Sequence, residues 1–146
     1  MILHYKFTKM SNSMKKMLFT LLILVVSCTE PNDCPELIFD SLTKSTFLSN
    51  KEPYTGRCLF TFADQSTNIR QYLNGKDYGK WIFYYPNGEI ETKGRFNKNG
   101  DRVGKWKYYY ESGELKQLSR YSKDGDRVGK WIMYNQDGEE IESVNY

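Results

Sequence analysis

The chain has 146 residues, of which 27% are charged and 16% aromatic, and its formal net charge is +3. This length suits one domain with a modest core. The sequence contains one histidine, His4, which lies before the expected start of the processed chain. A Ser-His-Asp or Cys-His catalytic site and a histidine-rich metal site are therefore disfavoured. Carboxylate pairs such as Glu89 and Glu91 have the pattern of exposed strand charges. We therefore expect a protein without catalytic activity, metal site or cofactor.

A secretory leader is indicated near the amino terminus. The segment "MKKMLFTLLILVVSC", from Met14 to Cys28, has two lysines and then an apolar run from Met17 to Val26 that only Thr20 interrupts. About ten apolar residues are too few to cross a bilayer, whereas a basic stretch before such a run is typical of a signal peptide. Because the first thirteen residues are not needed for export, Met14 is the expected start of translation.

The end of this leader, "VVSC", resembles a bacterial lipobox whose last residue is Cys28. The resemblance implies that the sulfur atom of Cys28 receives diacylglycerol and that residues 1–27 are removed. The protein would then be exported and held by acyl chains, such as palmitate, in the cell membrane or the outer membrane. An ordinary secreted protein is the alternative. Residues 29–33, "TEPND", are interpreted as a polar tether.

Removal of the leader would change the charge of the protein. Four of the 21 Lys and Arg residues precede Cys28, whereas all 18 Asp and Glu residues follow it, so the processed chain would have a net charge of about −1. Nucleic-acid binding usually needs a clustered positive field. We therefore expect no nucleic-acid partner and interpret Lys80, Lys105 and Lys130 as solvated face or turn residues.

Two further cysteines, Cys34 and Cys58, follow the lipobox cysteine. An even pair in an oxidising compartment favours a disulfide over two free thiols. Such a bond would hold the end of the segment 28–53 against the first hairpin of the following domain. Within that segment, "ELIFDSL" has too little periodicity to choose between a short strand and a helical turn.

A repeat with a period of about 25 residues occupies residues 54–146. "GDRVGKW" occurs at 100–106 and again at 125–131, and "GKDYGKW" occurs at 75–81. A degenerate copy begins at Gly56, where Cys58 takes the place of tryptophan. We number these copies 1 to 4 in chain order. Copies 2 to 4 share a tryptophan, a glycine seven residues later and an aromatic residue fifteen residues later, and these repeat-core positions are Trp81, Trp106, Trp131, Gly88, Gly113, Gly138, Phe96, Tyr121 and Tyr146.

Each copy is predicted to form a β-hairpin. Aromatic and β-branched runs such as "KWIFYY" favour strands, and each run ends at a turn that contains glycine. The segments after the turns, such as "EIETKGRF", are typical of return strands. The expected fold is all-β, with tandem antiparallel hairpins in a single meandering sheet.

Side-chain alternation assigns two faces to this sheet, because residues two apart on a strand share a side. Pairing of Tyr85 with Ile90 would place Trp81 opposite Gly94, where a flat glycine suits an indole. The face opposite the tryptophans is expected to be wet. It carries one tyrosine at a matched offset in each of copies 2 to 4, and we select these as candidate binding residues: Tyr84, Tyr109 and Tyr134.

The order of Gly-Lys-Trp, tyrosine-rich strand, Asn-Gly or Ser-Gly turn and aromatic residue resembles the bacterial variant of the MORN repeat. This form is found in the YwqK family of antitoxin-type proteins. The resemblance extends from Tyr54 to Tyr146 and is weakest in copy 1, where Cys58 replaces tryptophan and the turn "FADQSTN" lacks glycine. It implies a sheet of tandem hairpins used for binding or scaffolding, without catalytic residues.

Three functions from different classes remain open. The favoured one is a membrane-anchored, non-catalytic interaction or scaffold module that binds an unknown envelope protein through an aromatic sheet. An antitoxin or immunity-type protein that binds a toxin at the envelope is the alternative, suggested by the family label. A protein that binds envelope glycans is a further alternative. A glycan hydrolase is disfavoured, because the processed chain would contain no histidine and a single open sheet implies no cleft.

Overall fold

The computed structural model describes residues 32–146, which form twelve β-strands and no helix. The predicted all-β class is confirmed. The leader and Cys28 lie outside the described residues. The strands are β1 Asn32–Asp33, β2 Leu37–Asp40, β3 Ser45–Leu48, β4 Gly56–Thr61, β5 Thr67–Leu73, β6 Lys76–Asp77, β7 Gly79–Tyr84, β8 Ile90–Phe96, β9 Arg102–Tyr109, β10 Leu115–Tyr121, β11 Lys130–Tyr134 and β12 Glu140–Asn145.

Ten of these strands form one sheet, in the order β1-β4-β5-β7-β8-β9-β10-β11-β12, with β6 paired to β5. Strands β4 to β12 pair antiparallel, while β1 pairs parallel to β4. From β7 onward, neighbours in the sheet are neighbours in the chain, which is the predicted meander. Among residues 32–146, no helix is long and apolar enough to cross a membrane.

A second, two-stranded sheet lies before the repeats. It includes most of the segment "ELIFDSL", for which the sequence left a short strand and a helical turn open. Strand β2 begins at Leu37 and pairs antiparallel with β3, so the segment is a strand and not a helical turn. The backbone N–H of Thr46 in β3 donates to the Gly75 carbonyl at 2.7 Å, and the Gly75 N–H donates to the Tyr54 carbonyl at 2.7 Å. The first bond attaches the small sheet to the turn that follows β5, and the second attaches the same turn to the segment between β3 and β4.

One loop geometry recurs in most of the connections between strands of the repeats. In copy 2 the Tyr85 N–H donates to the Glu89 carbonyl at 2.8 Å, and the Gly88 N–H donates to the Tyr85 carbonyl at 2.9 Å. The same pair of bonds recurs at 97–101, 110–114, 122–126 and 135–139. Copy 1 makes this loop at 62–66 without glycine, because Gln65 adopts the left-handed backbone conformation with φ of 69°. The repeated loop therefore does not depend on glycine alone.

The register of the copy 2 hairpin differs from the prediction by one residue near its loop. Tyr84, not Tyr85, pairs with Ile90, while Phe83 pairs with Thr92, so a β-bulge lies between the two pairs. The loop bonds Tyr85 to Glu89, and the bulge absorbs the extra residue on the return strand. Beyond the bulge the predicted register holds, and Trp81 lies opposite Gly94.

The glycine of each Gly-Lys-Trp motif has a left-handed backbone conformation. The φ angles are 64° at Gly79, 69° at Gly104 and 64° at Gly129. A residue with a Cβ atom is strained in this conformation, whereas glycine adopts it freely. The motif thus encodes a fixed backbone bend directly before the lysine and tryptophan of each copy.

Candidate binding face

The main sheet has two faces, which we name by their aromatic residues. The tryptophan face carries the repeat tryptophans with Cys58 and Tyr72, and the tyrosine face is the opposite side, which carries Tyr84, Tyr109 and Tyr134. The largest fully buried side chain among the described residues is that of Trp106, which is 1% exposed; Cys58 is also fully buried. The core of the repeat domain therefore lies on the tryptophan face.

Aromatic rings form rows along the tryptophan face. Phe96 packs between two tryptophans, with its ring centre 4.8 Å from that of Trp81 and 5.0 Å from that of Trp106, both in edge-to-face geometry. In copy 4 the ring of Trp131 lies 5.2 Å from that of Tyr121 and 4.9 Å from that of Tyr146. Such pairs stabilise beyond their buried area, and in copies 2 and 4 the fifteen-residue offset in the sequence corresponds to a ring contact between neighbouring strands.

Each repeat tryptophan also has a hydrogen-bond partner on the return strand of the copy before it. The indole N–H groups of Trp81, Trp106 and Trp131 donate to the backbone carbonyls of Gln71, Arg95 and Arg120 at 3.0, 3.3 and 2.9 Å. A buried indole N–H without a partner would destabilise the fold. The tryptophans are therefore placed by packing and by a repeated polar contact.

An arginine lies over each tryptophan ring. The guanidinium of Arg102 is 4.4 Å from the ring centre of Trp106, and that of Arg127 is 5.0 Å from Trp131. This role was not predicted from the sequence, although both "GDRVGKW" copies have an arginine four residues before the tryptophan. In copy 2 that position is Asp77, and Arg70 from strand β5 supplies the cation 5.0 Å from Trp81. The outer side of the indole row is thus covered by guanidinium groups.

The pKa shifts on the tryptophan face have burial as their main cause. Burial raises the pKa of Tyr72 and of Tyr108, in each case against a lowering contribution from a nearby arginine. Burial likewise raises the pKa of Asp77, although Arg70 and Arg102 act in the opposite direction. Water is therefore partly excluded from this face even where it carries polar groups.

The predicted repeat-core residues do not share one environment. Trp81 and Trp106 are buried, Trp131, Phe96 and Tyr121 are half-buried, and Tyr146 is 51% exposed. The turn glycines are exposed and have positive φ angles of 85°, 97° and 81° at Gly88, Gly113 and Gly138. These glycines shape the loops, and only the aromatic positions contribute to the core.

The two cysteines near copy 1 lie on or beside neighbouring strands. Strand β1 pairs with β4 through Asn32 and Cys58, and Cys34 follows β1 directly. The Cys58 thiol donates to the hydroxyl of Tyr54 at 3.3 Å, and the Cys34 thiol donates to the carbonyl of Leu59 at 3.4 Å. The fold brings the two segments together, and the Cys34–Cys58 disulfide stays a prediction.

The tyrosine face holds the three candidate binding residues in equivalent positions. Tyr84, Tyr109 and Tyr134 are half-buried. Hydrogen bonds connect neighbouring copies next to these tyrosines. The Tyr85 hydroxyl donates to the Tyr109 carbonyl, and the Tyr110 hydroxyl donates to the Tyr134 carbonyl, both at 2.8 Å. The structure thus fixes the backbone spacing from each candidate tyrosine to the next.

The expectation that this opposite face is wet does not hold at Ile82, near its centre. Ile82 is only 7% exposed. It lies between Ile69 on β5 and Lys93 on β8 in the sheet register. Because the aliphatic stem of a lysine covers apolar surface while its charged end reaches water, the tyrosine face has an apolar centre under a charged surface.

The described residues offer no cluster for metal chemistry. Among residues 32–146, no group of three or more His, Cys, Asp or Glu side chains is placed to hold a metal ion. The recurrent turn carboxylates have structural contacts instead. In the 97–101 loop, for example, the side-chain oxygen of Asn97 accepts from the Asp101 N–H at 3.0 Å, and its amide group donates to the Asp101 carboxylate at 3.2 Å.

Comparison with known proteins supports the repeat. The family model described as "MORN repeat variant" matches residues 77–98 and 102–123, which are two adjacent repeats in copies 2 and 3. A search of curated proteins finds no match. A solved chain described as "Crystal structure of GtfA/B complex bound to UDP and GlcNAc" aligns at 15% identity and a TM-score of 0.31, over 94% of this chain and 38% of that chain. This chain therefore spans well under half of the solved chain's length.

Proposed function

We propose that this protein is a non-catalytic interaction module that binds another protein through the tyrosine face of its repeat sheet. MORN-type repeats in a continuous β-sheet fit a repeat-based interaction module. Arrays of this kind present extended surfaces in which each copy adds an equivalent contact. In this proposal the lipid on Cys28 holds the module at a bacterial membrane.

The observation that carries the proposal is the contrast between the two faces. On the tryptophan face the rings pack against each other, and guanidinium groups cover Trp106 and Trp131. That face supplies the core. On the tyrosine face one half-buried tyrosine recurs in each of three copies at a fixed backbone spacing. Tyrosine offers a large contact area with few rotatable bonds, which is why it is enriched in binding surfaces.

The test is an affinity pull-down from envelope extracts with the processed, anchored protein, followed by mass spectrometry. We expect a Tyr84→Ala/Tyr109→Ala double variant to lose a partner that the wild type captures. The matched control is Phe39→Ala, because Phe39 is 65% exposed and lies outside the main sheet. Retention of the partner by the tyrosine variant, or its loss from the control, would contradict the proposal.

The identity of the captured molecule separates the alternatives. A toxin would make the protein an antitoxin or immunity-type protein, which is a special case of the proposed module. Capture of an envelope polysaccharide without protein would instead support glycan binding.

The proposed anchor has its own test. A Cys28→Ser variant should lose metabolic labelling with radioactive lipid and leave the membrane fraction, or accumulate as the unprocessed precursor. Two or three acyl chains hold a protein firmly on a bilayer, and their loss removes that attachment. Undiminished lipid labelling and membrane retention of this variant would overturn the anchoring proposal.

A further inference from the structure

A basic hollow lies on the tyrosine face, below the candidate tyrosines. Its volume is about 320 Å³, and its floor is the backbone at Gly94. The surrounding side chains are all cationic, and no carboxylate lines the hollow: Lys80, Lys93, Arg95, Lys105 and Lys107. We refer to these five residues as the basic hollow.

The sheet register concentrates these cations. Lys80 pairs directly with Arg95 across β7 and β8, and Lys93 pairs directly with Lys107 across β8 and β9. Like charges directly opposite each other on neighbouring strands destabilise a sheet. Repulsion between the cations of the hollow therefore destabilises the folded state.

The described part of the chain does not neutralise these charges. The ion pairs found within residues 32–146 join Lys123 to Asp124 and Lys130 to Glu140, and neither involves the basic hollow. One hollow residue has an aromatic contact, because the ammonium group of Lys93 lies 5.0 Å from the ring centre of Tyr109. This contact makes the hollow continuous with the tyrosine row.

The charge of the hollow is local. Residues 32–146 contain 17 Lys and Arg and 17 Asp and Glu, so the described part of the chain has no net charge. Nucleic-acid binding domains usually carry a broad basic field that attracts a long polyanion. A basic cluster within a neutral domain is better matched to a short acidic segment, because charge complementarity over one patch gives register and specificity.

We propose that the basic hollow is the docking site for an acidic segment of a partner protein. Its Asp and Glu side chains would meet the lysines and Arg95, and the residues next to them would pack on Tyr84 and Tyr109. This inference rests on the proposed function and specifies the chemistry of the partner. It also gives Lys80 and Lys105, which the sequence suggested were merely solvated, a shared role in binding.

The probe for the test is a fluorescein-labelled octaglutamate peptide, with binding to the purified processed protein followed by fluorescence anisotropy at two salt concentrations. Both Lys80 and Lys105 are exposed, so a Lys80→Gln/Lys105→Gln variant should unfold at or slightly above the wild-type midpoint, because it also relieves charge repulsion. We expect this variant to bind the peptide about tenfold more weakly, with a smaller salt dependence. The matched control is Lys98→Gln/Lys123→Gln, which makes the same change of charge at exposed loop positions and should change the affinity less than about twofold.

Several results would overturn the inference. These are a lack of saturable octaglutamate binding by the wild type, an equal loss of affinity in the control variant, and tighter binding of a labelled twelve-nucleotide oligo-dT than of octaglutamate. The last result would identify single-stranded nucleic acid as the occupant. A partner that depends on Tyr84 and Tyr109 in the pull-down, yet binds the Lys80→Gln/Lys105→Gln variant normally, would refute the acidic segment while leaving the proposed interaction module intact.

Discussion

Gly94 lies beneath the indole of Trp106, so close that a Cβ atom on residue 94 would overlap the ring. Gly94 belongs to copy 2, where it pairs with Trp81, and Trp106 belongs to copy 3. Adjacent copies are thus interlocked, because each tryptophan packs over the return strand of the copy before it. At the position equivalent to Gly94, copy 3 has Ser119, which is small and fully buried.

This contact predicts a large effect from a small substitution. Gly94→Ala should destabilise the protein by about 1–3 kcal/mol, the usual cost of overpacking a filled site, as measured by chemical denaturation. The loss should shrink in a Trp106→Phe background, because the smaller ring leaves room for the added methyl group. If Gly94→Ala destabilises both backgrounds equally, the overlap with the indole is not the cause.

The tryptophans are predicted to contribute more stability than the charges around them. Trp106→Ala should lower the free energy of unfolding by about 3–5 kcal/mol, the range for truncating a large buried aromatic. Trp131→Ala should cost less, because Trp131 is only half-buried. Lys105→Ala and Asp101→Ala are the controls and should stay within about 1 kcal/mol of the wild type.

Denaturation curves combined with the pull-down decide the assignment of the faces. A Trp106→Ala variant that unfolds at the wild-type midpoint but loses its partner would mean that the tryptophan face binds and that the core assignment is inverted.

Much of the fold could be predicted because its signals are local. The period, the strand composition and the turn residues all lie within one copy, and the position of the turn between β7 and β8 is enough to place Trp81 opposite Gly94. Contacts between different copies could not be predicted in this way. The sequence suggested Gly94 as the partner of Trp81, but the ring that excludes a side chain there belongs to Trp106, and the arginines over the indoles were not recognised.

The candidate site also combines features that local sequence signals predict with features that depend on contacts between strands. Matched offsets were sufficient to select Tyr84, Tyr109 and Tyr134 on one face. The basic hollow was not predicted, because Lys93 and Lys107 are fourteen positions apart in the sequence and meet only through the register of β8 with β9. In the linear sequence these lysines are interspersed with acidic residues, which the folded chain places outside the hollow.

The loop of copy 1 offers a position where a substitution is predicted to stabilise the protein. Gln65 has φ of 69° and takes the place that glycine occupies in the other loops. Left-handed backbone costs a residue with a Cβ atom about 1–2 kcal/mol, and part of the gain from glycine is lost to its greater freedom when unfolded. Gln65→Gly should therefore raise the free energy of unfolding by about 0.5–1 kcal/mol. Gln65→Ala, which keeps the Cβ atom, is the control, and an equal gain in that variant would contradict the backbone explanation.

The raised pKa of Asp77 predicts that the stability of the fold depends on pH. Burial raises the pKa of Asp77 above its ordinary value, with Arg70 and Arg102 opposing the shift. The folded state therefore binds this proton more tightly than the unfolded state does. The stability that the group contributes is fully present below the unfolded-state pKa, about 3.9, and is lost as pH rises through the folded-state pKa. At neutral pH the ionised carboxylate weakens the fold relative to a neutral side chain.

The corresponding experiment replaces this carboxylate with an amide of similar shape. Asp77→Asn should melt at a higher temperature than the wild type at pH 7, and the difference should narrow as pH falls towards 3, because the wild-type carboxyl becomes neutral as well. Melting curves of both proteins at half-unit pH steps measure the difference directly. A gap that stays constant with pH, or a variant that is less stable at pH 7, would show that the electrostatic attraction of Arg70 and Arg102 outweighs burial at this position.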